Sequence, residues 1–434
     1  MDMNMRNAAS LAKKASLQLA AADAELKNRA LAEIGKALKE RQQDIVRANA
    51  LDVEKSAKEE LAAPLLKRLK FDEKKVEEVV AGIHSLMGLT DPVGETLAAT
   101  ELDEGLELYK VSCPIGVIGV IFESRPDALV QISTLCLKSG NAVLLKGGSE
   151  ARETNRILTQ IIIEATEKVG IPSGWIQLLE TRDDVNEMLK MDEFIDLIIP
   201  RGSNAFVKYI MENSNIPVMG HADGICHCYV DAEADMETAV KVVTDAKTQY
   251  VAVCNATETL LVHRDIAGRF LPLLKEELDK KQVEMVGCEE TRKVISIGTA
   301  TEEDWKTEYL DYKLSIKVVS SLEEAITHIN TYGSGHTDSI ITANKVNAGI
   351  FMNLVDSGNV FWNCSTRFSD GFRYGFGAEV GVSTNKLHAR GPVGLEGLLI
   401  YKYKLVGNGH VVADYANHVK TFTHRKINKK FHLD

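Results

Sequence analysis

The 434-residue sequence has no excess of basic residues and no regular cysteine framework. Its formal net charge of -11 repels phosphate backbones at long range, so no nucleic-acid partner is expected. No segment approaches the roughly 20 apolar residues that span a bilayer, and the N-terminal segment lacks the apolar core of a signal peptide. Seven cysteines, an odd number, fit a reducing compartment. We therefore expect a soluble, cytoplasmic protein that does not associate with a membrane.

The residue content indicates a globular chain, with 45% apolar and 26% charged residues. A length of 434 residues exceeds one ordinary core, so two or three domains are expected. The first ninety residues have helical periodicity, with Leu31, Ile34, Leu38 and Ile45 recurring among charges. This pattern predicts an amphipathic helical lead-in.

From Tyr109 the sequence alternates short apolar runs with helical segments, which is typical of a doubly wound α/β domain. A helix is predicted over 126–139, because Pro126 suits a first helical position and Gly140 the position after the last. A second alternating region begins near CHCYVD at 226–231. It predicts a second α/β domain.

The sequence contains no G-x-G-x-x-G after any predicted strand, so the usual dinucleotide phosphate loop is missing. Two other strand-to-helix turns carry glycine, serine and a cation: Lys146, Gly147 and Ser149 in LLKGGSEA, and Arg201 with Gly202 in IIPRGSNAF. Such turns can present N–H groups and a positive charge to a phosphate. A nucleotide site and a pair of ordinary turns remain open alternatives.

Most of the cysteines are interpreted as packing residues. Cys226, His227 and Cys228, with His221 nearby, have zinc-ligand side chains. In a strand, however, His227 points away from the two cysteines, and no C-x-x-C supplies further ligands. We therefore predict no metal site.

Cys254 differs from these cysteines because it follows a helix, precedes a strand and has small neighbours. A nucleophile needs this access, and loop N–H groups could hold an oxyanion. From these features alone, a nucleophile and an inert thiol both remain possible.

Three polar clusters make an acidic small-molecule substrate plausible: Arg125 in ESRPD, residues 334–340 (SGHTDSI), and residues 363–371 (NCSTRFSDG). Each could instead be a hydrogen-bonded turn. Near the C-terminus, LLIYKYKLV at 398–406 alternates apolar residues with lysines, which predicts a strand with one apolar face. That strand could seal a dimer or form an intrachain sheet edge.

These blocks together resemble the gamma-glutamyl phosphate reductase family, also called glutamate-5-semialdehyde dehydrogenases, within the aldehyde dehydrogenase superfamily. The resemblance covers nearly the whole chain and rests on VIGVIFESRPDALVQI, LLKGGSEA, CNATETLLVH, STRFSDGFRYGFGAEVGVST and HARGPVGLEGL. It implies an aldehyde dehydrogenase-like α/β fold with a Rossmann-like cofactor domain, an α/β catalytic domain and a small oligomerisation element. The expected ranges are 1–225 for the helical lead-in and NADP-binding domain, 226–365 for the catalytic domain, and 366–434 for the return to the cofactor domain and the oligomerisation strands.

The resemblance also implies roles for individual residues. Cys254 would be the nucleophile, with Asn255 beside it at the oxyanion. Substrate would contact Ser124, Arg125, His336, Thr337, Asp338, Asn363, Ser365 and Arg367. The cofactor NADPH would contact Lys146, Gly147, Ser149, Pro200, Arg201, Gly202 and Glu308.

The implied reaction is NADPH-dependent reduction of L-glutamate 5-phosphate to L-glutamate 5-semialdehyde and phosphate through a cysteine thioester, the second step of proline biosynthesis from glutamate. A homo-oligomer is expected, and a glutamate 5-kinase is a possible partner. Relatives that oxidise aldehydes carry a general-base glutamate near HADGICH, where this sequence has Ala222. A hydrolytic aldehyde dehydrogenase and a non-enzymatic scaffold are the alternatives.

Overall fold

The computed structural model describes residues 5–180, 183–221 and 223–432. The chain divides into two compact units. The first comprises Met1–Gly202, Ile210–Val218 and Gly394–Asp434, and the second comprises Ser203–Tyr209 and Met219–Val393. The second unit thus extends beyond both limits of the 226–365 range expected for the catalytic domain. The functional division of the chain stays a prediction.

The first unit opens with α1 (Met5–Leu19), α2 (Ala24–Glu40), α3 (Gln42–Lys58), α4 (Ala63–Leu69), α5 (Glu73–Met87), β1 (Thr96–Asp103), β2 (Leu106–Pro114), β3 (Val117–Phe122), α6 (Pro126–Lys138), β4 (Ala142–Gly147), α7 (Arg152–Glu167), β5 (Ile176–Leu179), α8 (Asp183–Met188) and β6 (Leu197–Arg201). Next, α9 (Asn204–Asn213) begins in the second unit and ends in the first.

The second unit continues with β7 (Cys226–Val230), α10 (Met236–Thr248), β8 (Thr257–His263), α11 (Arg264–Lys280), β9 (Glu284–Gly287), α12 (Glu289–Val294), β10 (Gly298–Thr299), β11 (Lys313–Val319), α13 (Leu322–Tyr332), β12 (Thr337–Ile341), α14 (Lys345–Leu354), β13 (Asn359–Trp362), β14 (Gly381–Ser383) and β15 (Gly391–Val393). The first unit closes with β16 (Leu399–Val406), α15 (Val412–Ala416) and β17 (Arg425–Lys426).

The predicted helical lead-in is present as α1–α5. Asp23 caps α2 by accepting a hydrogen bond from the backbone N–H of Leu26, and Asp72 caps α5 in the same way. Each cap satisfies an N–H group that the first turn of a helix leaves without an intrahelical partner. On α2, Leu31 and Ile34 are buried, as the periodicity predicts.

A four-stranded parallel sheet lies in the first unit in the order β5-β4-β3-β6. The residues of β3 and β4 are buried throughout, as expected for parallel strands covered on both faces. From β3 the chain passes to β4 and β5 on one side and then to β6 on the other. The carboxyl ends of β3 and β6 therefore form a topological switch point, where open α/β sheets bind ligands.

The predicted C-terminal strand is β16, and it pairs antiparallel with β2 at the edge of a sheet ordered β16-β2-β1-β17. This pairing gives the intrachain sheet edge that was one of the two alternatives. Tyr401, Tyr403 and Leu405 on this strand are exposed.

A seven-stranded parallel sheet in the order β10-β9-β11-β8-β7-β12-β13 forms the centre of the second unit. Buried apolar side chains cover both of its faces. One cluster includes Phe270 and Leu274 of α11, and the other includes Tyr229 of β7 and Phe351 of α14. None of the helices in the described part of the chain is long and apolar enough to cross a bilayer.

Candidate active site

Cys254 and His336 meet at the amino-terminal edge of the sheet in the second unit. Cys254 lies just before β8 and His336 just before β12, and these two strands flank β7. The Cys254 Sγ atom lies 3.2 Å from the Nε2 atom of His336. The predicted nucleophile therefore has an imidazole partner, which can accept the thiol proton.

The surroundings fix the position of His336. Its side chain is fully buried, and its Nδ1 atom lies 2.8 Å from the hydroxyl of Thr337. Cys226, the first residue of β7, donates a hydrogen bond from its thiol to the carbonyl oxygen of Cys254 at 3.2 Å. Burial raises the pKa of the Cys226 thiol well above its ordinary value, so this cysteine stays protonated and packs beneath Cys254.

Gly224 allows the Cys254 loop to approach closely. A Cβ atom on Gly224 would lie 2.2 Å from the carbonyl oxygen of Cys254 and 2.5 Å from its Cα atom. Any side chain at position 224 would therefore displace the loop that carries the thiol. His221 is nearby, with its ring 4.9 Å from the ring of His336 in an edge-to-face arrangement.

Arg367 supplies a buried cation to the second unit. It is 7% exposed, and its Nε atom donates to the side-chain oxygen of Gln249 at 2.9 Å. Burial lowers the pKa of the guanidinium, whereas the negative charge of a Cys254 thiolate works in the opposite direction. A guanidinium stays charged under such a shift, so the site can hold an anionic group.

A buried ion pair lies in the same unit. Lys247 of α10 and Glu258 of β8 are fully buried, and their charged atoms are 2.5 Å apart. Burial raises the pKa of Glu258 to about 7, although Lys247 opposes this shift. The Glu258 carboxylate also accepts a hydrogen bond from the Leu310 backbone N–H at 3.2 Å. This pair fixes the end of α10 against the strand that follows Cys254.

The other residues predicted from 334–340 differ in their contacts. The Thr337 hydroxyl contacts His336, as described above. The carboxylate of Asp338 is buried and accepts hydrogen bonds from the backbone N–H of His227 at 2.8 Å and from the hydroxyl of Ser357. These bonds hold Asp338 between strands. A direct contact of Asp338 with substrate stays a prediction.

Asn255 and Asn363 both use their amides to hold backbone. Asn255 donates from Nδ2 to the carbonyl of Ser369 at 2.7 Å. Asn363 donates to the carbonyl of Thr342 and accepts from its N–H, each at 2.9 Å. Ser365 caps a short 3₁₀ turn by accepting from the N–H of Arg367 at 3.3 Å. The roles predicted for these residues at the oxyanion and at the substrate stay predictions.

Ser124 and Arg125 follow β3 in the first unit. Ser124 is buried and has a φ of 45°. It donates to the carboxylate of Glu150 from its backbone N–H at 2.5 Å and from its hydroxyl at 2.8 Å. Arg125 is exposed, and its Nε atom lies 4.0 Å from the carboxylate of Asp127. Arg125 therefore keeps its side chain accessible at the end of the strand.

The predicted cofactor residues of the first unit lie at the edge of its parallel sheet that is formed by the carboxyl ends of the strands. Lys146 and Pro200 both pair in register with Ile121 of β3. Gly147 and Arg201 likewise pair with Phe122. This edge is the topological switch point, so the two turns lie where a dinucleotide is expected.

The turn after β4 combines a tightly packed glycine with the start of a 3₁₀ turn. A Cβ atom on Gly147 would lie 2.2 Å from the amide nitrogen of Asn155, so glycine lets the Asn155 side chain pack against the end of β4. Ser149 opens the 3₁₀ turn that leads into α7, and the N–H groups there suit a phosphate. Lys146 is only 8% exposed and donates to the carbonyl of Gly147 at 2.7 Å.

Glu308, predicted to hold the nicotinamide ribose, lies in the second unit. Its carboxylate accepts a hydrogen bond from the Asn204 side chain at 2.6 Å, and Asn204 also donates to Asp223 at 2.9 Å. Asn204 follows the predicted turn at residues 200–202 by two positions. Ala222, the position of the missing general base, lies outside the described residues.

Sequence reasoning missed several of these features. The sequence predicts a substrate contact for His336, which stays a prediction, but it gives no sign of the contact between His336 and the Cys254 thiol or of the buried Lys247–Glu258 pair. The one available signal was the pair of charged residues that flank the Cys254 loop at the end of a helix and the start of an apolar strand.

Comparison with known proteins gives a family match and close relatives. Residues 2–312 match the aldehyde dehydrogenase family. The chain is 72% identical to the gamma-glutamyl phosphate reductase of Acetivibrio thermocellus, over 99% of this chain and 100% of the relative. It is 54% identical to that of Methanosarcina mazei, over 97% of each chain.

Solved structures agree with these matches. The gamma-glutamyl phosphate reductase of Thermotoga maritima superposes with a TM-score of 0.92 at 42% identity, over 94% of this chain and 99% of the other. An acetylating aldehyde dehydrogenase from Geobacillus thermoglucosidasius shares the fold, with a TM-score of 0.63 at 18% identity over 94% and 97% of the two chains. The predicted aldehyde dehydrogenase-like α/β fold is confirmed.

Proposed function

Because this chain belongs to the gamma-glutamyl phosphate reductases of the aldehyde dehydrogenase family, an oxidoreductase family, we propose that it reduces L-glutamate 5-phosphate with NADPH. The products are L-glutamate 5-semialdehyde and phosphate, and the reaction is the second step of proline biosynthesis from glutamate. The observation that carries the proposal is the 3.2 Å contact between the Cys254 thiol and the His336 imidazole.

The first chemical step forms a thioester. His336 accepts the thiol proton, and the Cys254 sulfur attacks the acyl carbon of the substrate. The bond between that carbon and the phosphate oxygen then breaks, and phosphate leaves with its electron pair. Covalent catalysis divides a difficult displacement into two easier steps. The backbone N–H of Cys254 and the Asn255 amide would face the oxyanion, where each donor stabilises the developing charge.

The second step releases the aldehyde. When bound, NADPH would supply the hydride for reduction of the thioester carbon. The carbon–sulfur bond breaks, the electron pair returns to Cys254, and His336 returns the proton to the sulfur. Lys146, Gly147, Ser149, the turn at residues 200–202 and Glu308 would hold the cofactor. Nicotinamide cofactors are general in this family, and the preference for NADPH is the narrower part of the proposal.

Buried and accessible cations suit the anionic substrate. Arg367 would hold the amino-acid end together with Asn363 and Ser365, and Arg125 with Ser124 would contact phosphate or carboxylate. His336, Thr337 and Asp338 would complete the substrate site. A buried guanidinium is a strong partner for a carboxylate because the pair has little water to compete with it.

A homo-oligomer is part of the proposal, with the exposed apolar residues of β16 as its contact. Contiguous apolar surface on a strand is a frequent protein–protein contact. Acyl phosphates hydrolyse readily, so a glutamate 5-kinase is the expected supplier of substrate. The reaction is expected to take place in the cytoplasm.

The decisive experiment runs the reaction in reverse, with L-glutamate 5-semialdehyde and NADP, with and without phosphate or arsenate. Phosphate-dependent reduction of NADP supports the proposal. Phosphate-independent turnover would instead indicate a hydrolytic aldehyde dehydrogenase, and no turnover would indicate a scaffold.

A variant tests the nucleophile in the same assay. Cys254→Ser should abolish turnover while leaving NADPH binding and the circular dichroism spectrum unchanged, because a serine hydroxyl is far less acidic and less nucleophilic than a cysteine thiol. Cys288→Ser is the matched control, since the Cys288 thiol contacts Thr291 and not His336. Wild-type turnover by Cys254→Ser would exclude the thioester mechanism.

A further inference from the structure

Three side chains at the amino-terminal edge of the second-unit sheet have the chemistry of a zinc site. Cys254, His336 and His221 each offer one ligand atom, and these atoms all lie within 4.8 Å of one another. We propose that these three residues bind Zn²⁺ reversibly, and that the bound ion inhibits the protein by occupying the Cys254 sulfur. The site shares His221 with the group for which the sequence predicts no metal, and Cys226 lies beside it, with its Sγ atom 3.7 Å from Nδ1 of His336, but its thiol ligand is Cys254.

The donor set selects the metal. Thiolate and imidazole together are the usual ligands of zinc, whereas Mg²⁺ and Ca²⁺ prefer oxygen. Zn–S and Zn–N bonds of about 2.3 and 2.0–2.1 Å in a tetrahedron place ligand atoms about 3.3–3.6 Å apart. The contact between Cys254 and His336 is already 3.2 Å. Bringing His221 from at most 4.8 Å to these distances requires a movement of up to about 1.5 Å, and this side chain is partly exposed.

Each of the two histidines makes a further polar contact through its Nδ1 atom, and these contacts suit metal binding through Nε2. The Nδ1 atom of His221 lies 2.9 Å from the carbonyl oxygen of Val382. A carbonyl can only accept, so Nδ1 carries the proton and Nε2 carries the lone pair of the neutral ring. The Nδ1 atom of His336 contacts the Thr337 hydroxyl at 2.8 Å, which turns Nε2 towards Cys254. Such outer contacts orient imidazoles that bind metals.

Zinc binding and catalysis compete for the same sulfur. On coordination, the Cys254 thiol releases its proton to solvent, and the sulfur lone pair that would attack the substrate is shared with the metal. Three protein ligands leave a fourth position for water, so the ion can dissociate more easily than from a closed structural site. The Arg367 cation opposes binding through its like charge. The site therefore fits a reversible inhibitor rather than a permanent component.

Direct binding tests the site without relying on activity. The full-length protein, stripped with a chelator, is titrated with Zn²⁺ and with Co²⁺, with Mg²⁺ as the oxygen-preferring control. We expect one zinc per chain and a sulfur-to-cobalt charge-transfer band. Cys254→Ser should abolish the band, and His221→Gln should weaken zinc binding at least tenfold. Cys288→Ser, which removes a different thiol of the same unit, should bind as the wild type does.

Inhibition provides the second readout. Each variant is compared with its own metal-free rate, so a change in basal activity does not affect the result. Zinc should inhibit the wild type, a chelator should restore the rate, and His221→Gln should need at least tenfold more zinc for half-inhibition. Unchanged zinc binding in His221→Gln, or a cobalt spectrum without the thiolate band, would overturn the proposal. If Cys254→Ser loses zinc but keeps turnover, the zinc site stands and the thioester mechanism fails.

Discussion

The Sγ atom of Cys254 and the Nε2 atom of His336 are 3.2 Å apart, although the two residues are far apart in the sequence. The strand order of the second unit explains their proximity. β7 lies between β8 and β12, so the segments that precede β8 and β12 converge next to the first residue of β7. The nucleophile is therefore placed at the amino-terminal edge of a parallel sheet.

Replacement of His336 should slow formation of the thioester. His336→Gln keeps a polar side chain of similar reach but no base, so kcat/KM should fall by roughly 10²–10⁴. Alkylation of Cys254 by iodoacetamide at neutral pH should slow in parallel. Equal alkylation rates in the two proteins would show that His336 does not activate the thiol. His263→Gln, at the N-cap of α11, is the control.

Part of this arrangement can be predicted from the sequence, and part of it depends on the fold. Pro126 and the positive φ of Gly140 mark the two ends of α6 as predicted, because their backbone preferences are local. The pairing of Cys254 with His336 depends on the lateral order of strands, which no local pattern specifies. Lys247 has the appearance of a surface lysine on an amphipathic helix, and only the fold shows that it is buried against Glu258.

Removal of the charge on Glu258 should destabilise the protein. Glu258→Gln leaves the buried ammonium of Lys247 without a counter-ion, which costs about 3–5 kcal/mol in the free energy of unfolding. Urea unfolding followed by tryptophan fluorescence measures the change. Glu54→Gln is the control, because Glu54 pairs with Lys58 at an exposed site and its loss should leave the unfolding midpoint unchanged. Equal midpoints for the two variants would contradict a structural role for the buried pair.

Acidification should destabilise the fold through His328. Burial, with the nearby charges of His227 and Lys317, lowers the pKa of this imidazole to about 3, whereas an unfolded histidine has a pKa near 6.5. Between these values the unfolded state binds more protons, so stability is lost as the pH falls below about 6.5. The loss from this group should approach about 1.4 kcal/mol per pH unit.

The test compares unfolding free energies of the wild type and His328→Gln between pH 7.5 and 5. The glutamine does not titrate, so the variant should lose less stability over this range, whatever its stability at neutral pH. Parallel curves for the two proteins would show that His328 is protonated equally in the folded and unfolded states.

The preference for NADPH over NADH should depend on Lys146. Its ammonium lies at the carboxyl end of β4, where its charge can interact with the 2′-phosphate of NADPH. Lys146→Ala should reduce the ratio of the kcat/KM values for the two cofactors by about tenfold or more, since hydrogen bonds to charged groups contribute about 1.5–3 kcal/mol. Lys168→Ala, an exposed change at the end of α7, should leave the ratio unchanged. An unchanged ratio in Lys146→Ala would mean that another residue recognises this phosphate.

The thioester on Cys254 should resist water. Hydrolysis needs a general base within about 3 Å of the water proton or one water away from it, and Ala222, at the position where the family resemblance implies a glutamate in aldehyde-oxidising relatives, supplies none. Ala222→Glu should therefore raise phosphate-independent oxidation of the semialdehyde to glutamate, whereas Ala222→Gln, of similar size and without a base, should not. The gain should be a few-fold, because a single carboxylate without supporting contacts is held imprecisely. Glutamate formation is measured in phosphate-free buffer with NADP. Rapid glutamate formation by the unmodified protein would reveal another base and would favour the hydrolytic alternative. A reductase that admitted water to the thioester would lose its activated substrate to hydrolysis.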